Sequence, residues 1–319
     1  MSESSLVGPR IEPVPAGVQR PRWSVMIPTY NCAKYLRQTL ESVLAQDPGE
    51  GEMQIEVVDD CSTKDDPEAV VREVGKGRVS LHRKPQNEGV TANFNTCIQR
   101  SRGHLLHLLH SDDWVLPGFY DQLSQLAELH PGTPLLASRS FFVDEENVIV
   151  GVTERLRALE AGAQEVKDFF YGTPVQTPGV VVRRTFYEAQ GGFLPSLVHT
   201  ADCEMWVRAI GAGGGVVTSG VLACYRVFAT NDSGRLARTA ENLRDLERLD
   251  SIFAERYPAF NRQRAVERVC DRALQQAERF AWRGDLEAAE ANLAFWRQNA
   301  PLGLRLRRSL GRFARGFFR

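Results

Sequence analysis

The sequence lacks the features that mark membrane-spanning, disulfide-stabilised and nucleic-acid-binding proteins. No apolar run approaches the ~20 residues that a transmembrane helix needs. The six cysteines are scattered with no C-x-x-C pair, which favours reduced thiols in a cytoplasmic protein. The formal net charge of the 319 residues is only −1, and residues 1–300 alone carry 33 basic against 40 acidic side chains. Bulk charge therefore argues against nucleic acid as a partner.

The glycine-rich loops that bind phosphates in many enzymes are also missing. No G-x-G-x-x-G follows the first apolar run, and G-x-x-x-x-G-K-[ST] occurs nowhere. The run 213–215 is Gly-Gly-Gly, but it follows a predicted helix and is typical of a helix stop. These absences argue against a dinucleotide-dependent enzyme, a P-loop hydrolase and a sugar-1-phosphate nucleotidyltransferase.

Short apolar runs alternate with amphipathic segments between residues 23 and 130. The runs are predicted as strands at 23–27, 54–58, 78–82 and 104–109. Such alternation predicts βαβ units, and therefore an α/β fold with a Rossmann-like, mostly parallel sheet flanked by helices. Residues 131–230 mix strand and helix patterns, and the chain from about residue 240 onward is predicted to be helical.

Changes in composition divide the chain into four segments. Residues 1–22 are rich in Pro, Gly and Ser, contain no apolar signal core, and are predicted to form a flexible leader. Residues 23–235 are predicted to form the α/β domain, and residues 236–300 a C-terminal helical extension. Residues 301–319 carry six Arg and no acidic side chain, and are predicted to form a basic amphipathic tail.

Polar residues follow three of the predicted strands. The first strand leads into Pro28-Thr29-Tyr30-Asn31, the second into Asp59-Asp60, and the fourth into Ser111-Asp112-Asp113. In an open parallel sheet ligands bind beyond the carboxyl ends of the strands. Two acidic pairs at one edge would repel each other, so a divalent cation carrying a phosphorylated ligand is expected there. Alternatively, each Asp caps the turn or helix that follows it.

Three histidines precede the last of these turns. Alternation along a strand places His104 and His110 on one face and His107 on the other. The three imidazoles therefore cannot converge on one ion, and no zinc site is expected from them. His110 differs from the other two because it adjoins the acidic turn.

Several blocks of the sequence carry a resemblance to a known family. They are WSVMIPTYN, EVVDDCSTKD, QNEGVTANFNTCIQRSRGHLLHLLHSDDWVLPGF, TPGVVVRRTFYEAQGGF, HTADCEMWVRAIG and CYRV. In this order and spacing, over about residues 23–230, they closely resemble the family 2 inverting glycosyltransferases. The resemblance implies the GT-A fold and a metal-dependent transfer of a sugar from a nucleotide-sugar donor, with UDP-sugars favoured, to a hydroxyl acceptor.

The resemblance also implies roles for individual residues. The backbone at Pro28 and the Tyr30 side chain would line the base and ribose pocket, and Asp60 would hydrogen-bond the nucleobase. Asp112 would lie against the ribose and the metal, and Asp113 would ligate the divalent cation, Mn²⁺ or Mg²⁺.

Two further residues complete the predicted site. Asp202 would be the catalytic base that takes the proton of the acceptor hydroxyl. Arg226 follows a strand near the site and is predicted to reach the donor phosphates, and residues 230–235 are predicted to form a mobile lid.

Two departures from the family pattern leave alternatives open. His110 stands at the first position of the family's D-[SA]-D-D turn, and Ala201 stands where the E-D motif has its Glu. Asp202 then has a second interpretation as a helix-capping acid, with Glu204 as the alternative base. A catalytically decayed module that binds a sugar nucleotide or a glycan is the competing functional hypothesis.

The basic tail, residues 301–319, predicts the localisation of the protein. On a helix, one side of the tail would be apolar and the opposite side cationic, which suits an anionic membrane surface. The apolar residues are Leu302, Leu306, Leu310, Phe313 and Phe317. A cytoplasmic protein held at the inner face of the membrane is therefore expected, with a glycan or lipid-linked acceptor in cell-envelope polysaccharide or glycolipid synthesis. The alternative is that this stripe packs on protein.

Overall fold

The computed structural model describes residues 7–155, 169–172, 174–228 and 232–305. The chain divides into two compact units, Met1–Phe228 and Ala229–Arg319. The first unit therefore ends before residue 235, the predicted end of the α/β domain. The first two residues of the predicted lid, Thr230 and Asn231, lie outside the described residues, and the next four belong to a helix of the second unit.

Nine strands form one sheet in the described part of the first unit. They are β1 (Trp23–Thr29), β2 (Met53–Asp59), β3 (Ser80–Arg83), β4 (Leu105–Leu108), β5 (Trp114–Val115), β6 (Leu135–Val143), β7 (Ile149–Val152), β8 (Val180–Arg183) and β9 (Gly215–Arg226). The order is β3-β2-β1-β4-β8-β6-β9-β5, with β7 beside β6. The predicted α/β class is confirmed.

The parallel half of the sheet contains β3, β2, β1 and β4. All residues of β1 and β2 are buried, as expected for strands covered by helices on both faces. Thr29 pairs with Asp59, so the carboxyl ends of β1 and β2 lie side by side. The backbone N–H of Leu109 bonds to the carbonyl of Met26, which brings the end of β4 to the same edge.

Six helices and one short 3₁₀ turn accompany the sheet in the described residues. The helices are α1 (Ala33–Leu44), α2 (Pro67–Gly75), α3 (Val90–Arg100), α4 (Phe119–Leu129), α5 (Arg184–Gln190) and α6 (Ala201–Gly213). The apolar face of α1, with Leu36, Leu40 and Val43, is fully buried in the core beneath the sheet. The 3₁₀ turn is Thr177–Gly179.

The second half of the sheet mixes directions. β8 is antiparallel to β4 and β6, whereas β6 and β9 are parallel. β9 also pairs in antiparallel fashion with β5, where Trp114 lies opposite Cys224. This long-range pairing carries the end of β9, at Arg226, back to the turn that follows β4.

The described part of the predicted flexible leader is packed against the first unit. Ile11 is buried, the carbonyl of Pro9 accepts the N–H of Gly192, and the carbonyl of Glu12 accepts a bond from Arg184. These contacts argue against flexibility at residues 9–12, and the flexible leader over residues 1–22 stays a prediction. Proline restricts the unfolded segment, and the burial of Ile11 together with these hydrogen bonds stabilises its packed position.

The second unit is helical in its described residues, as the composition predicts. Its helices are α7 (Asp232–Arg238), α8 (Glu241–Arg256), α9 (Arg262–Trp282) and α10 (Leu286–Asn299). Their small core contains Leu243, Leu246, Val269 and Phe295. The greater part of the predicted basic tail, residues 306–319, lies outside the described residues. No described helix is long and apolar enough to span a membrane.

Candidate active site

The turn after β4 is held against α1 through Thr39 in the middle of that helix. The N–H of Asp113 bonds to the carbonyl of His110, and the buried Thr39 hydroxyl lies within 2.9 Å of the Ser111 carbonyl and 2.7 Å of the Asp113 carbonyl. Cys32, just before α1, contacts the same turn. Its burial and the nearby Asp112 raise the pKa of the Cys32 thiol to about 12, so the thiol stays protonated.

Asp113 has one carboxylate oxygen engaged and one unpartnered. Its side chain is 1% exposed, and Oδ1 accepts the backbone N–H of Arg226 at 2.8 Å. Oδ2 is buried and has no hydrogen-bond partner among the described residues. Burial and the neighbouring charge of Asp112 raise the pKa of Asp113 well above its usual value. A cation at Oδ2 would offset both effects.

His110 completes a three-residue cluster with this carboxylate. Ligand atoms of His110, Asp112 and Asp113 all lie within 4.8 Å of one another. His110 Nδ1 is 3.7 Å from Asp113 Oδ2, and the ring stacks on Phe94 with a centroid distance of 5.1 Å. Two carboxylates and an imidazole suit a divalent cation such as Mn²⁺. The residues therefore fit the predicted metal, with Asp112 and Asp113 placed together as expected.

His107 is separated from this cluster, as the strand alternation predicts. Its ring lies 3.2 Å from the Tyr120 hydroxyl through Nδ1 and 3.0 Å from the Pro178 carbonyl through Nε2. Burial lowers the pKa of His107 to about 3, which keeps the imidazole neutral.

The buried Arg226 side chain links the turn after β4 to two other segments of the first unit. The side chain is 1% exposed, and its planar guanidinium donates to the carbonyls of Asp112 and Asp144 at 3.0 Å each and to Gln38 Oε1 at 2.7 Å. Trp114 packs on it as well, with its ring centroid 4.8 Å away. These bonds argue for a structural role, and the contact between Arg226 and the donor phosphates stays a prediction. Sequence identifies a cation near the site, but only packing decides which acceptors it meets.

Asp60 anchors the loop between β3 and α3. Its carboxylate is 2% exposed and accepts the N–H groups of Glu88 and Gly89 at about 3 Å, with Lys84 Nζ 2.7 Å away. Lys84 is itself buried. Burial alone would lower the pKa of Lys84, but the bonds to Asp60 and Glu88 raise it, so the ion pair persists. A contact between Asp60 and the nucleobase stays a prediction.

Pro28 and Tyr30 lie at the carboxyl end of β1, and their contact with the base and ribose stays a prediction. Pro28 is buried as the sixth residue of that strand, whereas Tyr30 is 46% exposed just beyond it. The next residue, Asn31, has a φ of +50° and its Oδ1 accepts the N–H groups of Thr63 and Lys64. The turns after β1 and β2 are thereby tied together, with the phenol free to contact a ligand.

The predicted base lies in the first turn of α6. Asp202 is half-buried, its Oδ2 accepts the Thr177 hydroxyl at 3.2 Å, and its Oδ1 accepts the N–H of Cys203. The alternative base, Glu204, is completely buried and pairs with Arg208 at 2.9 Å. Glu204 is thus a structural residue, and Asp202 stays the predicted base.

Four residues that support the site were not predicted from the sequence. Thr39 fixes the metal turn, Phe94 carries the His110 ring, Lys84 pairs with Asp60, and Thr177 bonds to Asp202. Of the four, only Lys84 lies in a polar run of the sequence, residues 82–88. Lys84 alone offered a signal, because it follows the third strand at the edge where Asp60 follows the second.

Two solved structures of carbohydrate enzymes share the fold of this chain. Staphylococcus aureus TarS 1–349 in complex with UDP-GlcNAc matches with a TM-score of 0.55 at 17% identity, covering 87% of this chain and 92% of that one. The mannosyltransferase PcManGT of Pyrobaculum calidifontis, in complex with GDP-Man and Mn²⁺, matches with a TM-score of 0.54 at 17% identity, covering 98% and 85%.

Sequence comparisons find relatives of this chain and one matching family. The uncharacterized protein MT1568 of Mycobacterium tuberculosis is 28% identical over 72% of this chain and 75% of its own length. S. aureus TarS, a poly(ribitol-phosphate) β-N-acetylglucosaminyltransferase, is 30% identical over 30% of this chain, and the match spans only 17% of TarS. The sequence model of glycosyl transferase family 2 matches residues 24–187, more than half of the chain. The chain therefore belongs to glycosyl transferase family 2.

Proposed function

We propose that this glycosyltransferase is metal-dependent and inverting, and that it moves a sugar from a UDP-sugar to a hydroxyl acceptor in cell-envelope polysaccharide or glycolipid synthesis. The observation that carries the proposal is the buried, unpartnered Oδ2 of Asp113 inside the cluster with His110 and Asp112. A buried carboxylate oxygen without a donor is costly, and a ligand of opposite charge would remove that cost.

The chain's own residues would divide the work between donor and acceptor. Asp112 and Asp113 would hold the cation, which when bound supplies positive charge for the donor diphosphate. Tyr30 would contact the base and ribose from the edge of the sheet. Asp202 lies in the first turn of α6 and accepts a hydrogen bond from Thr177. It would take the proton of the acceptor hydroxyl as the hydroxyl oxygen attacks the anomeric carbon of the donor sugar. Attack opposite the departing diphosphate inverts the configuration.

The choice of donor and pathway draws on the relatives. TarS binds UDP-GlcNAc in its solved complex, and its name assigns it to a poly(ribitol-phosphate) polymer. The teichuronic acid enzyme TuaG of Bacillus subtilis is 33% identical over 34% of this chain. These relatives support a UDP-sugar and a cell-envelope acceptor, whereas PcManGT binds GDP-Man. Affinities for UDP and GDP, compared in wild type and Asp60→Asn, would test the base preference. Equal affinity for both in the wild type would remove the preference for UDP.

The metal site is tested by calorimetry of UDP binding with and without Mn²⁺. We expect Mn²⁺-dependent UDP binding in the wild type and its loss in Asp113→Asn, which removes the anionic ligand while keeping the shape. Asp121→Asn is the matched control, because Asp121 is exposed on α4. Unchanged Mn²⁺-dependent binding in Asp113→Asn would refute the assignment. A wild type that binds Mn²⁺–UDP but turns over no UDP-sugar would favour the binding module.

We also propose that the basic tail holds the enzyme at an anionic membrane surface, near a lipid-linked acceptor. Each Arg close to such a surface contributes about 1 kcal/mol, and residues 301–319 contain six. Co-sedimentation with phosphatidylglycerol vesicles at low and high salt should capture the full chain and not a chain ending at Ala300. Equal sedimentation of the two chains would contradict the proposal.

A further inference from the structure

His110 is partly buried, and stacking on Phe94 holds its ring within the cluster of His110, Asp112 and Asp113. Its ring lies nearly parallel to Phe94, with an interplanar angle of 14°, and Phe94 in turn packs on Phe193. Nε2 is buried and has no hydrogen-bond partner among the described residues. Nδ1 is 3.7 Å from Asp113 Oδ2, which is longer than a hydrogen bond. Stacking thus holds the ring with Nδ1 near the Asp113 carboxylate, where both atoms could bind one ion.

The spacing of the donor atoms suits one ion. Ligands at about 2.1 Å from a six-coordinate cation lie roughly 3 to 4.2 Å from one another. The 3.7 Å between His110 Nδ1 and Asp113 Oδ2 falls in that range, and all three ligand atoms lie within 4.8 Å. Asp113, at 1% exposed, directs its unpartnered oxygen into the same space.

We propose that His110 is a metal ligand and that its nitrogen makes the site prefer Mn²⁺ and other first-row transition ions over Mg²⁺. The inference rests on the proposed metal-dependent function. Mg²⁺ favours oxygen ligands in near-ideal octahedral geometry, whereas transition ions gain from an imidazole. An Asp at position 110 would give a third carboxylate and favour Mg²⁺.

An imidazole that ligates a metal is neutral, so His110 would add no charge to the loaded site. Two carboxylates balance one divalent cation, so the centre would be neutral before the donor arrives. A third carboxylate would leave it with a net negative charge, which would oppose the diphosphate of a nucleotide sugar. A neutral ligand at this position therefore favours donor binding as well as selecting the ion.

Electron spin echo spectroscopy of bound Mn²⁺ in the presence of UDP tests the proposal directly. Nitrogen-14 modulation from a coordinated imidazole should appear in the wild type and vanish in His110→Asp while Mn²⁺ stays bound. His130→Ala, which removes an exposed imidazole at the end of α4, is the matched control and should keep the modulation.

Metal affinities give a second readout. Titration of free Mn²⁺ and competition with Mg²⁺ should show the Mn²⁺/Mg²⁺ affinity ratio falling by roughly tenfold or more in His110→Asp, since even the loss of a group that supports a ligand costs that much. His110→Gln, which keeps a neutral side chain, should also lose the nitrogen signal. The wild-type spectrum alone decides the question if a variant fails to fold.

The outcomes separate this inference from the function on which it rests. Bound Mn²⁺ without nitrogen modulation in the wild type, or the same modulation in His110→Asp, would overturn the ligand role and leave the metal-dependent function standing. His110 would then be a positioning residue beside Asp113. A wild type that binds no Mn²⁺ with UDP would overturn both.

Discussion

Replacing Arg226 with methionine should lower the free energy of unfolding of the first unit. The main effect should be on stability and not on ligand binding. The substitution keeps an apolar stem of similar length but removes the guanidinium. Four hydrogen bonds disappear, those to the carbonyls of Asp112, Asp144 and Glu145 and to Gln38 Oε1. The backbone N–H that binds Asp113 remains, so the change isolates the side chain.

The expected loss follows from these contacts. Each hydrogen bond contributes about 1 kcal/mol net, and each of the two cation–π contacts, with Tyr35 and Trp114, about 0.5 kcal/mol or more. The free energy of unfolding should therefore fall by roughly 5 kcal/mol. For a domain of this size the melting temperature should drop by roughly 10 °C or more.

Thermal unfolding without nucleotide, followed by circular dichroism, measures this change. Arg226→Lys should lose nearly as much, because an ammonium group keeps the charge but cannot reproduce the planar set of bonds. Arg72→Met, at an exposed position of α2, is the control and should stay within about 0.5 kcal/mol of wild type. A melting temperature within about 2 °C of wild type, with a large fall in UDP affinity, would refute the structural role of Arg226. That result would favour a contact between Arg226 and the donor phosphates.

Other variants test separate parts of the molecule. Because burial lowers the pKa of His107 to about 3, only the unfolded chain takes up its proton near pH 6.5. Wild type should thus lose about 2 kcal/mol relative to His107→Gln between about pH 7.5 and about pH 5 in urea unfolding, and parallel pH profiles would contradict this. Asp202→Asn should keep UDP affinity and lose turnover by ~10²-fold or more, whereas Glu204→Gln should mainly lower the melting temperature; the reverse pattern would exchange their roles. Lys84→Met should cost about 3 kcal/mol in urea unfolding by leaving Asp60 without its cation, and an unchanged midpoint would show that the pair is not stabilising.

Local patterns were enough to predict the sheet edge and the acidic turns. The apolar runs of β1, β2 and β4 identify buried parallel strands, and the carboxyl ends of such strands meet at one edge. The positions of Asp112, Asp113 and Tyr30 follow from that rule alone. The antiparallel placement of β8 and β5 does not, because strand direction in a mixed sheet depends on pairings between distant segments.

What the sequence by itself determined is which residue types stand at the end of each strand. What only the tertiary structure decided is which partner each of them meets. Arg226, at the end of β9, supplies an N–H to one oxygen of Asp113, while the other has no partner in the described part of the chain. Asp60 is covered because Lys84 and the next loop fold onto it. Charge and hydrogen-bonding capacity belong to a residue, whereas burial and the choice of partner are set by chain segments far away in the sequence, and these decide whether a carboxylate binds a ligand or braces the fold.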